Sequence, residues 1–232
     1  VQFTIQSMSK PFAYALAIEM LGLDAVLAKI GVEPSGEAFN EISLDPVTGK
    51  PRNPMINAGA IATSELVGDF DHFAQFASAL AGRHLVVDER VFDSEMSTTH
   101  HNLASAHLMA AYGVVDNPGA AVEAYVRQCS LNVDVRDLAT MAATLANGGV
   151  QPDTGERLMS ELTARQVLSV MTTCGMYDAA GDWLSTVGIP AKSGVSGGII
   201  GVLPGQVGVA VFSPNLDQHG NSSRGVAMMK RL

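Results

Sequence analysis

Gln6-Ser7-Met8-Ser9-Lys10-Pro11-Phe12 places a serine and a lysine three residues apart, where an extended approach turns into a helix. Residues 1–5 alternate polar and apolar side chains and are rich in β-formers, so they read as extended. From residue 8 to residue 21 the pattern is helical, with Phe12, Leu16 and Met20 beside Ala15 and Ile18 on neighbouring faces. Pro11 fits only the first turn of that helix, and Gly22 is a reasonable stop. Ser7 then lies at or near the helix N-terminus, and residues three apart on a first turn share a face. The Lys10 amine can therefore reach the Ser7 hydroxyl, beside free backbone N–H groups and the positive end of the helix dipole. A serine becomes a nucleophile when a base takes its proton, and a desolvated lysine can be that base. S-x-x-K is a marker of β-lactamases and penicillin-binding proteins. On this tetrapeptide alone, a capping serine and a solvated lysine is the commoner meaning.

The chain of 232 residues is long enough for one large domain or two small ones with a sizeable core. It is 47% hydrophobic and 16% charged, hence globular. A formal net charge of −9 argues against nucleic acid and anionic membrane as partners. No apolar run approaches a membrane span and no signal peptide is visible. Cys129 and Cys174 read as two buried thiols in a reducing compartment.

Beyond the opening, residues 23–30 read as a short helix ended by Gly31. Residues 33–54 are rich in turn chemistry, including Pro34-Ser35-Gly36, Asp45-Pro46 and Thr48-Gly49-Lys50-Pro51. Asn57-Ala58-Gly59-Ala60 opens a helical stretch, and another runs over residues 70–80. Residues 96–99 read as a loop, 101–112 and 120–130 as helices. Asp134 can cap a helix ending at Asn147-Gly148-Gly149, and Ser160 one ending at Cys174-Gly175. After Gly188 the character changes. Two β-like runs, 199–203 and 207–212, flank the hairpin turn Pro204-Gly205-Gln206. The chain divides into a mainly helical part over about 1–187, carrying S-x-x-K, and antiparallel strands over about 188–232.

Lys192-Ser193-Gly194 leads into the first β-run and resembles the K-T-G element that accompanies S-x-x-K. A strand edge beside the nucleophile can supply a backbone N–H for an oxyanion and a cation for a carboxylate or for depressing another lysine's pKa. The order of the two motifs favours this meaning over a plain glycine-rich turn. Gly194-Val195-Ser196-Gly197-Gly198 also matches G-x-S-x-G, but that elbow needs a helix after its turn and a β-run follows here, so Ser196 is rejected. Ser130-Leu131-Asn132, superficially like S-D-N, reads better as a helix end. The six histidines, His100, His101 and His107 among them, form no convincing ligand set, and no metal or other cofactor is implied.

Taken together, the motifs resemble those of the serine-dependent β-lactamase-like glutaminases. The resemblance runs through Gln6–Pro11, Glu33-Pro34-Ser35-Gly36 with Phe39-Asn40, and the stretches 53–61, 141–149, 174–178 and 191–195, and on to Ser213-Pro214 and Gly220-Asn221-Ser222. It implies an α+β fold of the β-lactamase and penicillin-binding-protein kind, an antiparallel sheet flanked by helices with a mainly helical lobe. It implies hydrolysis of L-glutamine to L-glutamate and ammonia through a γ-glutamyl-serine ester, in the cytoplasm, by a homo-oligomer (a dimer or tetramer). Ser7 is then the nucleophile and Lys10 its base. The N–H groups of Ser7 and Val195 form the oxyanion hole. Asn57, Glu95, Asn102, Tyr125, Tyr177 and Val195 line the substrate site, with Lys192, Ser193 and Gly194 supporting it.

Those roles are chemically sensible. Glu95 suits the α-ammonium of glutamine, while Asn57, Asn102 and Tyr125 can donate to its α-carboxylate. Tyr177, near two lysines, is expected to have a lowered pKa and to donate to departing ammonia. A penicillin-recognising hydrolase or transpeptidase and a catalytically inactive fragment are the alternatives. The resemblance also implies strands and a tyrosine ahead of S-x-x-K, so the chain is expected to be N-terminally incomplete, with an open pairing edge on its sheet.

Overall fold

The computed structural model describes residues 1–35 and 42–232. Gly36 and Phe39-Asn40 of the quoted motifs lie outside the described residues. Phe3–Thr4 (β1) pairs antiparallel with Asn132–Val133 (β2). A turn of 3-10 helix, Gln6–Ser9, then runs directly into α1, Lys10–Leu21. Pro11 sits in its first turn, where a missing N–H is harmless, and Gly22 at φ 84° ends it. Leu23–Lys29 (α2) follows across a 120° bend. Among the described residues no single helix is long and apolar enough to cross a membrane.

One apolar stripe was expected on α1. Instead every residue from Lys10 to Ala15, with Ala17 and Ile18, is buried, and Met20 is exposed at the far end. A helix apolar all round belongs in the middle of a protein. Its alanines let neighbours approach closely, and α1 packs against α3 (Asn57–Val67) and α9 (Glu161–Cys174).

Several of the remaining helices carry side-chain caps from the residue before their first turn. Asp69 caps α4 (Phe70–Ala81), Asp88 caps α5 (Glu89–Ser97), Asn117 caps α7 (Pro118–Cys129) and Ser160 caps α9. Asp134 and Asp137 form a reciprocal capping box on α8 (Val135–Ala146). Between α5 and α7 lies α6 (His100–Ala111). Helix α5 contradicts the loop expected at 96–99, since it runs through Met96 and Ser97. Its composition is polar, but Phe92 and Met96 stand one turn apart on a single inward face. Two short helices, α10 (Ala180–Thr186) and α11 (Ser223–Met229), also went unforeseen, because each buries only two residues and shows no readable apolar stripe.

Ala191–Gly194 (β3), Gly198–Leu203 (β4) and Val207–Phe212 (β5) form an antiparallel sheet in that order. Alternate residues of β4 serve two cores. Ile200 and Val202 face the main helical core, with α8 laid across β4 and β5. Ile199 meets Val211 across the ladder and joins Trp183, Met176 and Met229 in a smaller core under α10 and α11. Phe3 stacks on Phe212 with centroids 3.8 Å apart, tying the first residues to the sheet.

Two close approaches bring the sheet and helices to the Ser7 turn. Met8 fills the space beside Gly194 and Gly198, where a Cβ would stand 3.2 and 2.3 Å from its methyl carbon. Helix α3 is pressed against the 53–54 backbone at Gly59, whose Cβ would lie 1.9 Å from the Asn53 carbonyl oxygen. Gly59→Ala is therefore expected to lower unfolding stability by about 3 kcal/mol, an overpacking penalty that outweighs the ~1 kcal/mol helix-propensity gain. A denaturant midpoint unchanged from the parent protein would contradict it.

Candidate functional site

Ser7 stands in the 3-10 turn and Lys10 begins α1, and the Lys10 N–H donates to the Ser7 carbonyl, closing the turn that relates them. Ser7 is 8% exposed and Lys10 1%. The residue before the serine, Gln6, has φ 51°, and Tyr177 has φ 57°. These are the only non-glycine residues with positive φ among the described residues. Each such conformation costs about 1–3 kcal/mol and persists only where the surroundings impose it. Both stand at one place, because the Tyr177 hydroxyl hydrogen-bonds Ser7.

Lys10 Nζ donates to the Met55 carbonyl at 3.1 Å and to Asn57 Oδ1 at 2.7 Å. Burial lowers its pKa to about 8. Lys192 is fully buried on β3, with Nζ donating to the Ser193 carbonyl at 2.8 Å and lying 4.2 Å from the centre of the Tyr177 ring. Burial, and then the neighbouring Lys10 charge, hold Lys192 well below the usual lysine range. Tyr177 Oη donates to the same Ser193 carbonyl at 3.2 Å. Its pKa is not lowered, as the proximity of two lysines suggested. Burial pushes it up, since desolvating a phenolate outweighs two amines that themselves tend to neutrality. Tyr177 is thus a protonated phenol. Beside it, His219 pairs with Asp178 at 3.0 Å.

The polar residues of α3, α5, α6 and α7 form a second arc. Asn57, first residue of α3, accepts from Tyr125 Oη at 3.0 Å as well as from Lys10, and its Nδ2 donates to Asn102 Oδ1 at 3.2 Å. Asn102 donates in turn to Thr99 Oγ1 at 3.0 Å. Glu95, exposed in the last turn of α5, accepts from Gln6 Nε2 at 3.5 Å. Val195 lies in the turn between β3 and β4 and is 37% exposed. Ser7, Lys10, Asn57, Asn102, Tyr125, Tyr177, Lys192 and Ser193 are thus joined by hydrogen bonds or ring contacts, Glu95 meets the cluster through Gln6, and Gly194 packs on Met8.

The rejected motifs stand apart from this arrangement. Ser196 is in a strand–turn–strand hairpin, and Ser130 ends α7 with its hydroxyl donating to the Val126 carbonyl. His100, His101 and His107 are exposed. Clefts of about 560 and 650 Å³ lie at α8–α9 and α4–α7 and hold no serine–lysine pair.

Sequence reasoning missed four residues here. Gln6 was quoted but given no role, and its backbone conformation has no signature in a glutamine. Ser9, Gln128 and Cys129 lie directly behind the turn. Gln128 Nε2 donates to Ser9 Oγ at 2.9 Å, and the Cys129 thiol, raised to about 11 by burial, lies beside Tyr125 and Ser9. The glutamine and the thiol look like ordinary core-face residues of α7, and only a buried polar residue opposite S-x-x-K hints otherwise.

A family model described as Glutaminase matches residues 1–232. A curated glutaminase of Corynebacterium efficiens is 53% identical over 100% of this chain and 57% of its own length. One from Trichormus variabilis is 52% identical over 99% of this chain and 71% of its own. The chain therefore spans rather more than half of the Corynebacterium relative. A crystal structure described as Mglu in its glutamate form superposes with a TM-score of 0.95 at 52% identity, covering 100% of this chain and 55% of that one. A probable glutaminase structure gives 0.96 at 41% identity, covering 99% and 77%.

Proposed function

Since this chain belongs to the glutaminase family, we propose that it hydrolyses L-glutamine to L-glutamate and ammonia through a Ser7–Lys10 dyad. The observation that carries the reading is the hydrogen bonding of Lys10. A neutral lysine amine has two N–H bonds and one lone pair. With the N–H bonds given to Met55 O and Asn57 Oδ1, the lone pair is left for the Ser7 proton. Ser7 Oγ attacks the side-chain amide carbon as Lys10 takes that proton. The N–H groups of Ser7 and Val195 stabilise the oxyanion. Collapse breaks the C–N bond, and the departing nitrogen takes the Tyr177 phenol proton, which Tyr177 regains from the protonated Lys10. Water then hydrolyses the γ-glutamyl ester and the proton returns to Ser7. Glu95 holds the α-ammonium, and Asn57, Asn102 and Tyr125 meet the α-carboxylate, once Tyr125 exchanges Asn57 for substrate.

The proposal extends to a cytoplasmic homo-oligomer, dimer or tetramer, which the family resemblance supports. Ammonia release by the purified full-length protein, with glutamine and asparagine compared, tests the reaction. Turnover of glutamine well above asparagine is expected. Covalent labelling by a fluorescent penicillin with no glutamine turnover would overturn it.

Because Tyr177 remains protonated, its proposed task is to pass a proton. Tyr177→Phe is expected to lower kcat by about 100-fold, with a much smaller change in KM. A kcat within about twofold of the parent protein would remove Tyr177 from the proton path.

A further inference from the structure

A peptide unit is planar, so fixing the direction of one residue's carbonyl fixes the opposite direction of the next residue's N–H. The carbonyl of Gln6 and the N–H of Ser7 belong to one such unit. That unit follows a glutamine held at φ 51°, a conformation with no intrinsic preference to sustain it. Its carbonyl accepts from Ser9 Oγ at 2.7 Å. Ser9 is completely buried and accepts in turn from Gln128 Nε2 at 2.9 Å. Gln128 is 2% exposed on α7, and its Oε1 lies 3.4 Å from Ser64 Oγ, whose one hydroxyl hydrogen is shared with the Ala60 carbonyl at 3.0 Å. The direction of each bond is constrained. The amide nitrogen can only donate, so the Ser9 hydroxyl accepts there and its own hydrogen goes to the Gln6 carbonyl.

We infer that Gln128, acting through Ser9, sets the plane of the Gln6–Ser7 peptide and thereby aims the Ser7 N–H at the developing oxyanion. Gln128 is a positioning residue: it touches neither substrate nor the reacting atoms. The chain Ser64–Gln128–Ser9–Gln6 reaches the nucleophile's backbone from behind, on the protein side, and the substrate is met by other groups. This rests on the reading of Ser7 as nucleophile and of its N–H as an oxyanion donor.

An oxyanion donor matters more in the transition state than in the ground state, so a misaimed one lowers kcat and spares binding. Gln128→Met keeps the side-chain length and removes both amide partners. Ser9→Ala removes the relay alone. In the purified full-length protein each is expected to lower kcat between about 10- and 100-fold, a part of the ~10²–10³-fold effect of deleting a donor outright. Glutamate affinity by calorimetry is expected to stay within about threefold in both variants. The double variant is expected to be no slower than the worse single one, since both break one chain. Where Gln128→Met does not fold, Ser9→Ala, which deletes one oxygen, carries the test. A kcat within about twofold of the parent protein overturns the inference, as do a loss falling on glutamate affinity and multiplicative effects in the double variant. Ser7→Ala run alongside separates the two levels: if it stays active, the functional reading fails, and if it is inactive while Ser9→Ala is not impaired, only the positioning inference fails.

Discussion

Ser7→Ala is expected to lower glutamine turnover by a factor on the order of 10⁴ or more, while leaving glutamate binding within a few-fold of the parent protein. Removing a nucleophile that acts as one unit with its base forfeits most of what that unit contributes, as in the serine hydrolases where loss of a single member approaches loss of all. The fold gives no reason for the protein to suffer otherwise. Ser7 is nearly buried, and the substitution removes one oxygen from a turn closed by backbone bonding, with the Lys10 N–H on the Ser7 carbonyl. The change should therefore be catalytic. Ammonia production by the coupled assay measures it, and retained turnover would mean that another group opens the amide.

Lys10→Met is expected to lower kcat by about 10³-fold, within the range general-base groups contribute. It should also abolish one feature of the pH profile. A protonated lysine cannot accept the serine proton, so activity requires the neutral amine. Burial brings the Lys10 pKa down from 10.5 to about 8. The neutral fraction therefore grows as pH rises through about 8, and kcat/KM should climb on the acid side of that value and level off above it. In Lys10→Met the remaining activity should lack that limb. A limb near 8 that survives in the variant would transfer the role of base to Lys192, whose burial beside Lys10 lowers it as well.

Much of this arrangement can be read in the residues because its decisive parts are local. Ser7 and Lys10 are three apart at a helix start, and Pro11 and Gly22 mark that helix's first turn and its end. Lys192-Ser193-Gly194 lies on a strand whose partner follows after one short turn. Capping residues Asp134 and Ser160 announce their helices for the same reason. The parts that escaped are set by tertiary contact. Glu95 lies in a polar helix, and the bond from Gln6 is what draws it to the site. Tyr125 looks like a surface residue in isolation, yet it is buried against Asn57 and Cys129. The charge state of Tyr177 was misjudged because proximity to two lysines is legible in the motifs and depth of burial is not. The carbonyl of Gln6, whose backbone is left-handed, accepts from Ser9, which is itself held by Gln128 from 119 residues along the chain. No local pattern encodes that distance.

The central claim is that the glutamyl group passes through an ester on Ser7. Rapid acid quenching of the full-length protein during glutamine turnover, followed by peptide mass analysis, tests it directly. The account predicts one glutamyl group on the peptide containing Ser7, absent from Ser7→Ala, which releases no ammonia above background. Ammonia released by Ser7→Ala at the parent rate, with no glutamyl group on that peptide in the parent protein, would contradict it.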